Sequence, residues 1–221
     1  SSSSDSSAGN PVSSPPEPTT AGPTAAGPTA VNTSPTLPAP HSPTVPVRFE
    51  QNLGQTNSSV AFLARASGST WFIAPDQTVV VLPTGSDGEG SASRNVRFSL
   101  VGANLTPRVT GSNLLPGVTN YLRGNDSAAW VTEVPSFGIV TLTSVYPGID
   151  LVYRTAADGR LEYDFVVTPH GDPSVIQWLI GGAQASMTTS GSLAITTGAQ
   201  NFTFDAPAAF QDVGGVRTSI E

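Results

Sequence analysis

Ile149-Asp-Leu-Val-Tyr-Arg154 and Arg160-Leu-Glu-Tyr-Asp-Phe-Val-Val-Thr168, separated by Thr155-Ala-Ala-Asp-Gly159, decide how this chain is read. Ile149, Leu151 and Tyr153 alternate with more polar neighbours, and so do Leu161, Tyr163, Phe165 and Val167. A period of two is the mark of a β-strand with one buried face. Between the runs, Ala157-Asp158-Gly159 supplies the positive-φ positions that a tight turn demands. The pair therefore predicts an antiparallel hairpin with one apolar face, and that face needs a second layer to cover it.

Similar short runs extend in both directions. Before the hairpin lie Val60–Ala66, Thr70–Ala74, Thr78–Leu82, Asn95–Val101, Val118–Leu122, Trp130–Val134 and Phe137–Thr143. After it come Val175–Ile180, Leu193–Thr197, Asn201–Phe204 and Ala208–Asp212. Turn residues recur roughly every eight to twelve positions, so the expected fold is all-β: a layered, sandwich-like antiparallel domain of many short strands. No stretch sustains a helical apolar period; only Asp126–Trp130 and Asp172–Gln177 have room for single helical turns. Gly214-Gly215 opens a last hairpin whose return strand reaches Glu221 unpunctuated, so the domain is expected to continue beyond that residue.

Upstream the composition changes. Residues 1–47 hold eleven of the 20 prolines, no aromatic residue, no Arg, and the tandem Ala21-Gly-Pro-Thr-Ala25 and Ala26-Gly-Pro-Thr-Ala30. Proline blocks helix and ladder, and few large apolar groups are present to offset the ordering entropy. Residues 1–47 are expected to form a disordered Ser/Thr/Pro-rich stalk, spanning ~40 Å as a coil to ~145 Å as polyproline II. Residues 48–221 form the second unit, the all-β domain, with all nine bases, every one an Arg, against fourteen acids. Such a surface argues against nucleic acid and anionic membranes as partners. No apolar run reaches the ~20 residues of a membrane-spanning helix. With no Cys there is no disulfide, thiolate nucleophile or Cys-based metal site.

Catalytic signatures are missing: no nucleophile elbow, zincin helix, P-loop or dinucleotide fingerprint. Gly85-Ser-Asp-Gly-Glu-Gly90 reads as a loop, and His170 as a surface turn histidine. The acidic residues of the central hairpin are more informative. Pairing Tyr153 with Leu161 would set Asp150 opposite Asp164, with Glu162 on the same face. Like charges opposite one another on a ladder need a neutraliser. Arg pairing or plain solvation is the first expectation, with Arg154 and Arg160 flanking the turn and Arg97, Arg108 or Arg123 able to arrive from elsewhere; a hard cation such as Ca²⁺ is the second, and a shared proton, as in a hydrolytic carboxylate pair, the third. Trp71, Trp130 and Trp178 are core candidates that double as stacking platforms for a sugar.

Several phrases carry a family resemblance: Phe49-Glu-Gln-Asn-Leu-Gly-Gln-Thr56, Leu100-Val-Gly-Ala-Asn104, Leu115-Pro-Gly-Val-Thr-Asn-Tyr-Leu-Arg-Gly-Asn-Asp126, Val145-Tyr-Pro-Gly-Ile-Asp-Leu-Val-Tyr153, Leu161-Glu-Tyr-Asp-Phe-Val-Val167 and Ala208-Ala-Phe-Gln211. In this order they resemble the N-terminal domain of unknown function of bacterial SBBP (beta-propeller) repeat proteins of the cell surface. The resemblance implies an exported all-β module with propeller repeats downstream in the same polypeptide and no established activity or catalytic residue. The first functional expectation is thus a non-enzymatic structural or interaction module, extracellular or cell-surface, with no cofactor. A carbohydrate- or cell-wall-binding sandwich, with or without Ca²⁺, is the alternative, and surface glycans are then its partners. A hydrolase using two carboxylates is the third.

Overall fold

The central hairpin forms with the predicted facing, inside a much larger sheet. The computed structural model describes residues 46–66, 68–82, 94–156, 159–198, 200–213 and 216–220. All belong to one compact unit, His41–Glu221. The stalk as far as residue 45, with His41, the 84–93 loop, Ala157-Asp158 and Gly214-Gly215 lie outside the described residues.

The strands in chain order are β1 (Phe49–Gln51), β2 (Phe62–Ala66), β3 (Ser69–Ile73), β4 (Thr78–Leu82), β5 (Arg94–Leu100), β6 (Arg108–Tyr121), β7 (Val131–Tyr146) and β8 (Ile149–Thr155). They continue with β9 (Leu161–Val167), β10 (Trp178–Gly181), β11 (Gln184–Met187), β12 (Leu193–Thr197), β13 (Gln200–Phe204), β14 (Ala209–Val213) and β15 (Val216–Ile220). Single 3-10 turns occupy Ser127–Ala129 and Pro173–Val175, capped by Asp126 and Asp172, where the sequence allows helical turns.

Among the described residues a 10-stranded sheet runs β10-β5-β4-β3-β2-β1-β7-β8-β9, with β6 also on β7; β11-β12-β13 and β14-β15 form smaller sheets. All described pairings are antiparallel. Long strand β7 is the branch point. Its Ser136 and Phe137 pair with β1, its Ile139–Tyr146 stretch pairs with β8, and β6 runs along it from Thr143 to Val131.

The layers are two regions of one curled sheet, rather than two independent sheets. Thr78 of β4 and Tyr153 of β8 share a buried hydrogen bond of 2.7 Å. Trp178 of β10 packs on Tyr163 and Phe165 of β9, with ring centroids 5.6 and 5.8 Å apart. Phe204 of β13 then covers the cluster, its ring 5.6 Å from Phe98, 5.8 Å from Tyr163 and 6.4 Å from Trp71. Phe49, Ile73, Val80, Val96, Val140, Ile149 and Tyr153 are fully enclosed. Each such side chain contributes about 1.5–3 kcal/mol of hydrophobic stabilisation before entropy is counted.

Three sequence expectations change. Val47, assigned to the stalk, is buried in the core, and its carbonyl accepts the Thr155 hydroxyl at 2.7 Å. The runs around Trp130–Val134 and Phe137–Thr143 join as β7 across Pro135, which lies opposite Val118 where the register to β6 shifts. A strand tolerates proline at such an irregularity. Finally, β6 is far longer than Val118–Leu122. Its Gly111 admits the Phe137 ring, which a Cβ would meet at 2.7 Å.

Candidate functional site

The register of the β8–β9 hairpin governs the acidic cluster. Tyr153 pairs with Tyr163, Leu151 with Phe165, Val152 with Asp164 and Arg154 with Glu162. The expected pairing of Tyr153 with Leu161 is therefore off by two residues. A two-residue slip preserves the faces, so the apolar pattern permits both registers. The turn decides between them: Ala156 N–H donates to Arg160 C=O at 2.8 Å, and Gly159 N–H to Ala156 C=O at 2.9 Å.

As a result Asp150 lies opposite Val166, not Asp164. Its Oδ1 accepts the Ser144 backbone N–H at 2.7 Å. Ser144 has φ +57° and sits in the β7 irregularity between Leu142 and Tyr146. Asp150 thus holds a bulge in place. Arg154, half-buried between the other two acids, donates from Nε to Asp164 Oδ2 at 2.5 Å and approaches Glu162 Oε1 at 3.4 Å. The Asp164 hydrogen bond, and then the charges of both acids, raise the Arg154 pKa above its ordinary value, against the opposing pull of partial burial. This is the Arg neutraliser of the sequence reading. Among the described residues no group of three or more His, Asp or Glu side chains comes together to hold a metal.

The three tryptophans separate. Trp71 is core, with Nε1 donating to Ser69 Oγ at 3.0 Å. Trp178 belongs to the aromatic cluster, 6.1 Å from Phe98. Trp130 caps the first 3-10 turn and is 38% exposed, its Nε1 donating to Gly124 C=O at 3.3 Å. Trp178 is half-buried, and Trp130 is the most exposed of the three. The space among Trp71, Tyr153, Tyr163, Trp178 and Phe204 is about 10 Å³, room for at most one water. His170 is exposed in the turn after β9, at φ +73°.

A second polar constellation was not legible in the sequence. Glu50 of β1 lies opposite Leu63 of β2 and Ser136 of β7, so the three share the face away from Phe49 and the main core. Leu63 and Val134 are buried outside that core. Over them Glu50 accepts hydrogen bonds from the Tyr121 hydroxyl and, at 3.2 Å, from Thr119; Arg65 pairs with it at 3.3 Å. Arg65 also donates to the Tyr121 oxygen at 3.2 Å, and Arg65 and Arg123 lie over the Tyr121 ring at 5.9 and 5.5 Å. Desolvation and the Glu50 hydrogen bond raise the Tyr121 pKa. Chemically this is a clasp binding the end of β6 to β1 and β2. Ser136 Oγ beneath it is buried without a hydrogen-bond partner. Glu50 and Tyr121 are 71 residues apart, and no local pattern links them.

A family model described as a domain of unknown function, DUF7948, matches residues 49–221. The chain belongs to the DUF7948 family. No curated protein and no solved structure matches it. The DUF7948 match begins at the first residue of β1 and takes in the Arg154 cluster, the Glu50 clasp and every strand among the described residues. The Pro-rich segment lies outside the DUF7948 region. Among the described residues no helix is long and apolar enough to cross a membrane.

Proposed function

We propose that this DUF7948 domain is a non-enzymatic structural or interaction module of a bacterial cell-surface protein, carried on a Pro-rich stalk and followed by propeller repeats. One observation carries the non-enzymatic part: the candidate carboxylates are engaged within the fold. Asp150 holds the Ser144 amide, Glu162 and Asp164 hold Arg154, and Glu50 is bound from three sides. A general acid or base must lie within reach of a substrate proton, and each of these carboxylates already serves a contact that holds the fold together. The export and propeller context rests on the phrases around Val145–Tyr153 and Leu161–Val167. Reading the coding sequence on both sides tests that context. An export signal upstream and propeller repeats downstream are expected; their absence overturns it. Turnover by the purified domain that Asp150→Asn or Glu162→Gln abolishes without unfolding would overturn the non-enzymatic part and favour the hydrolase.

Trp130 supports the second reading, a glycan-binding surface. Its partly exposed indole lies close in sequence to Tyr121 and Arg123. A glycan array with the wild-type domain and Trp130→Ala tests it. Binding that is lost in the variant would move this reading to first place. Binding that is present in calcium and lost in EDTA would add the cation.

A further inference from the structure

The far end of the β6–β7 hairpin leaves the sheet. β7 pairs with β1 through Ser136 and Phe137, and with β8 from Ile139 onward. On the other side of Ser136, among the described residues, 118–121 and 131–135 pair only with each other. The ladder is interrupted on both strands at that point. On β6 the register shifts across Leu115-Pro116-Gly117, and Gly117 has φ +82°. On β7, Pro135 lies opposite Val118 and has no N–H to give.

A two-stranded hairpin is marginal in water by itself. This one is fastened to β1, to β2 and to the loop between them by polar side chains. The Tyr121 and Thr119 hydroxyls donate to Glu50, Arg65 donates to the Tyr121 oxygen, and Arg123 donates to Gln55 C=O at 3.4 Å. Where the ladder breaks, Arg48 donates to Pro116 C=O. Val134 pairs with Thr119, so it shares the face that meets Glu50, and it is buried outside the main core. The closed arrangement has a cost. Ser136, opposite Glu50, is buried with its hydroxyl unpartnered, a destabilising state that water would relieve.

We infer that residues 118–134 form a strap that swings off β1 and β2 about Pro116-Gly117 and Pro135, with Glu50 as its latch. The rest of the sheet stays folded while the strap is open. Opening uncovers Val134 and hydrates Ser136. The hinge lies where hinges are expected, in a few residues at the ends of regular pairing. The fastening is partly solvated, with Arg65 56% exposed, so the strap opens at a lower free energy than the whole domain.

The chain has no cysteine, so one introduced thiol reports accessibility without interference. Val134→Cys places the thiol beneath the strap, and Val80→Cys places it in the main core. In native buffer the Val134→Cys thiol should react with a thiol reagent at least about tenfold faster than the Val80→Cys thiol. Glu50→Ala, which removes the latch, should raise the Val134→Cys rate about tenfold or more. Ser136→Ala, which removes the unpartnered hydroxyl, should lower it. Ile149→Ala weakens a core that the closed and open forms share. It should therefore raise the Val80→Cys rate at least about tenfold and leave the Val134→Cys rate unchanged. Equal rates at the two thiols would mean that the strap opens only when the domain unfolds, and would overturn the inference. A Val134→Cys rate that follows Ile149→Ala as closely as the Val80→Cys rate does, or that Glu50→Ala fails to raise, would overturn it too.

Discussion

Two hairpins in this molecule start from similar local instructions and meet different fates. β8–β9 and β14–β15 are both antiparallel, both turn at a Gly-containing loop, and both pair along their whole length. In the first, Ile149, Leu151 and Tyr153 are sealed under a second layer. In the second, Ile220 stays 44% exposed. Strand propensity and turn chemistry are thus enough to pair two strands, while the stability of the pair comes from what covers its apolar face.

The largest expected break in that contrast is Ile149→Ala. It leaves a cavity in a closed core and should lower the unfolding free energy by about 2–5 kcal/mol, read from urea denaturation. Alkali should act on the same side of the molecule. Burial raises the Tyr153 phenol pKa well above its ordinary value and raises that of Tyr163 as well. The unfolded chain ionises near pH ~10, so this stability is fully present below that pH and is lost above it. The slope is up to about 1.4 kcal/mol per pH unit for each buried phenol. The chain has no Lys, so no ammonium group titrates across that window. Urea midpoints at increasing pH should fall in the wild type and fall less steeply in Tyr153→Phe; equal slopes would mean that Tyr153 is not buried. At neutral pH, Tyr153→Phe should itself cost about 1 kcal/mol, through the lost bond to Thr78.

Arg154→Met should have a smaller effect, no more than about 1 kcal/mol, because its ion pairs are partly solvated. Salt should narrow the gap between variant and wild type. The smallest effect should be that of Ile220→Ala, within about 0.5 kcal/mol, because that residue is exposed. A loss near that of Ile149→Ala would show that β14–β15 is covered, and would erase the contrast between the hairpins.

Much of the fold was legible in the residues. The alternation in 149–154 and 160–168 set Ile149, Leu151 and Tyr153 on one face and Leu161, Tyr163 and Phe165 on the face that pairs with it. The two short helical turns lay where Asp126 and Asp172 could cap them. The register was less accessible. A slip of two keeps the pattern, yet it moves Asp150 from Asp164 to Val166 and sets Arg154 opposite Glu162. The three-residue β1 left no run long enough to notice, although it joins β2 to β7. Trp71, Trp130 and Trp178 looked alike as residues, and only their surroundings separated core from surface.

The sequence by itself determined the β character, the facing of the strands and the Pro-rich segment's separate composition. Each follows from short-range rules: side-chain period, turn chemistry and the entropy of proline-rich chain. Tertiary structure alone decided that one sheet curls on itself, that Arg154 neutralises Glu162 and Asp164, and that Glu50, Arg65 and Tyr121 meet. Those contacts join residues brought together by strand order and curvature. Both depend on the packing of the whole apolar face, so no local stretch encodes them.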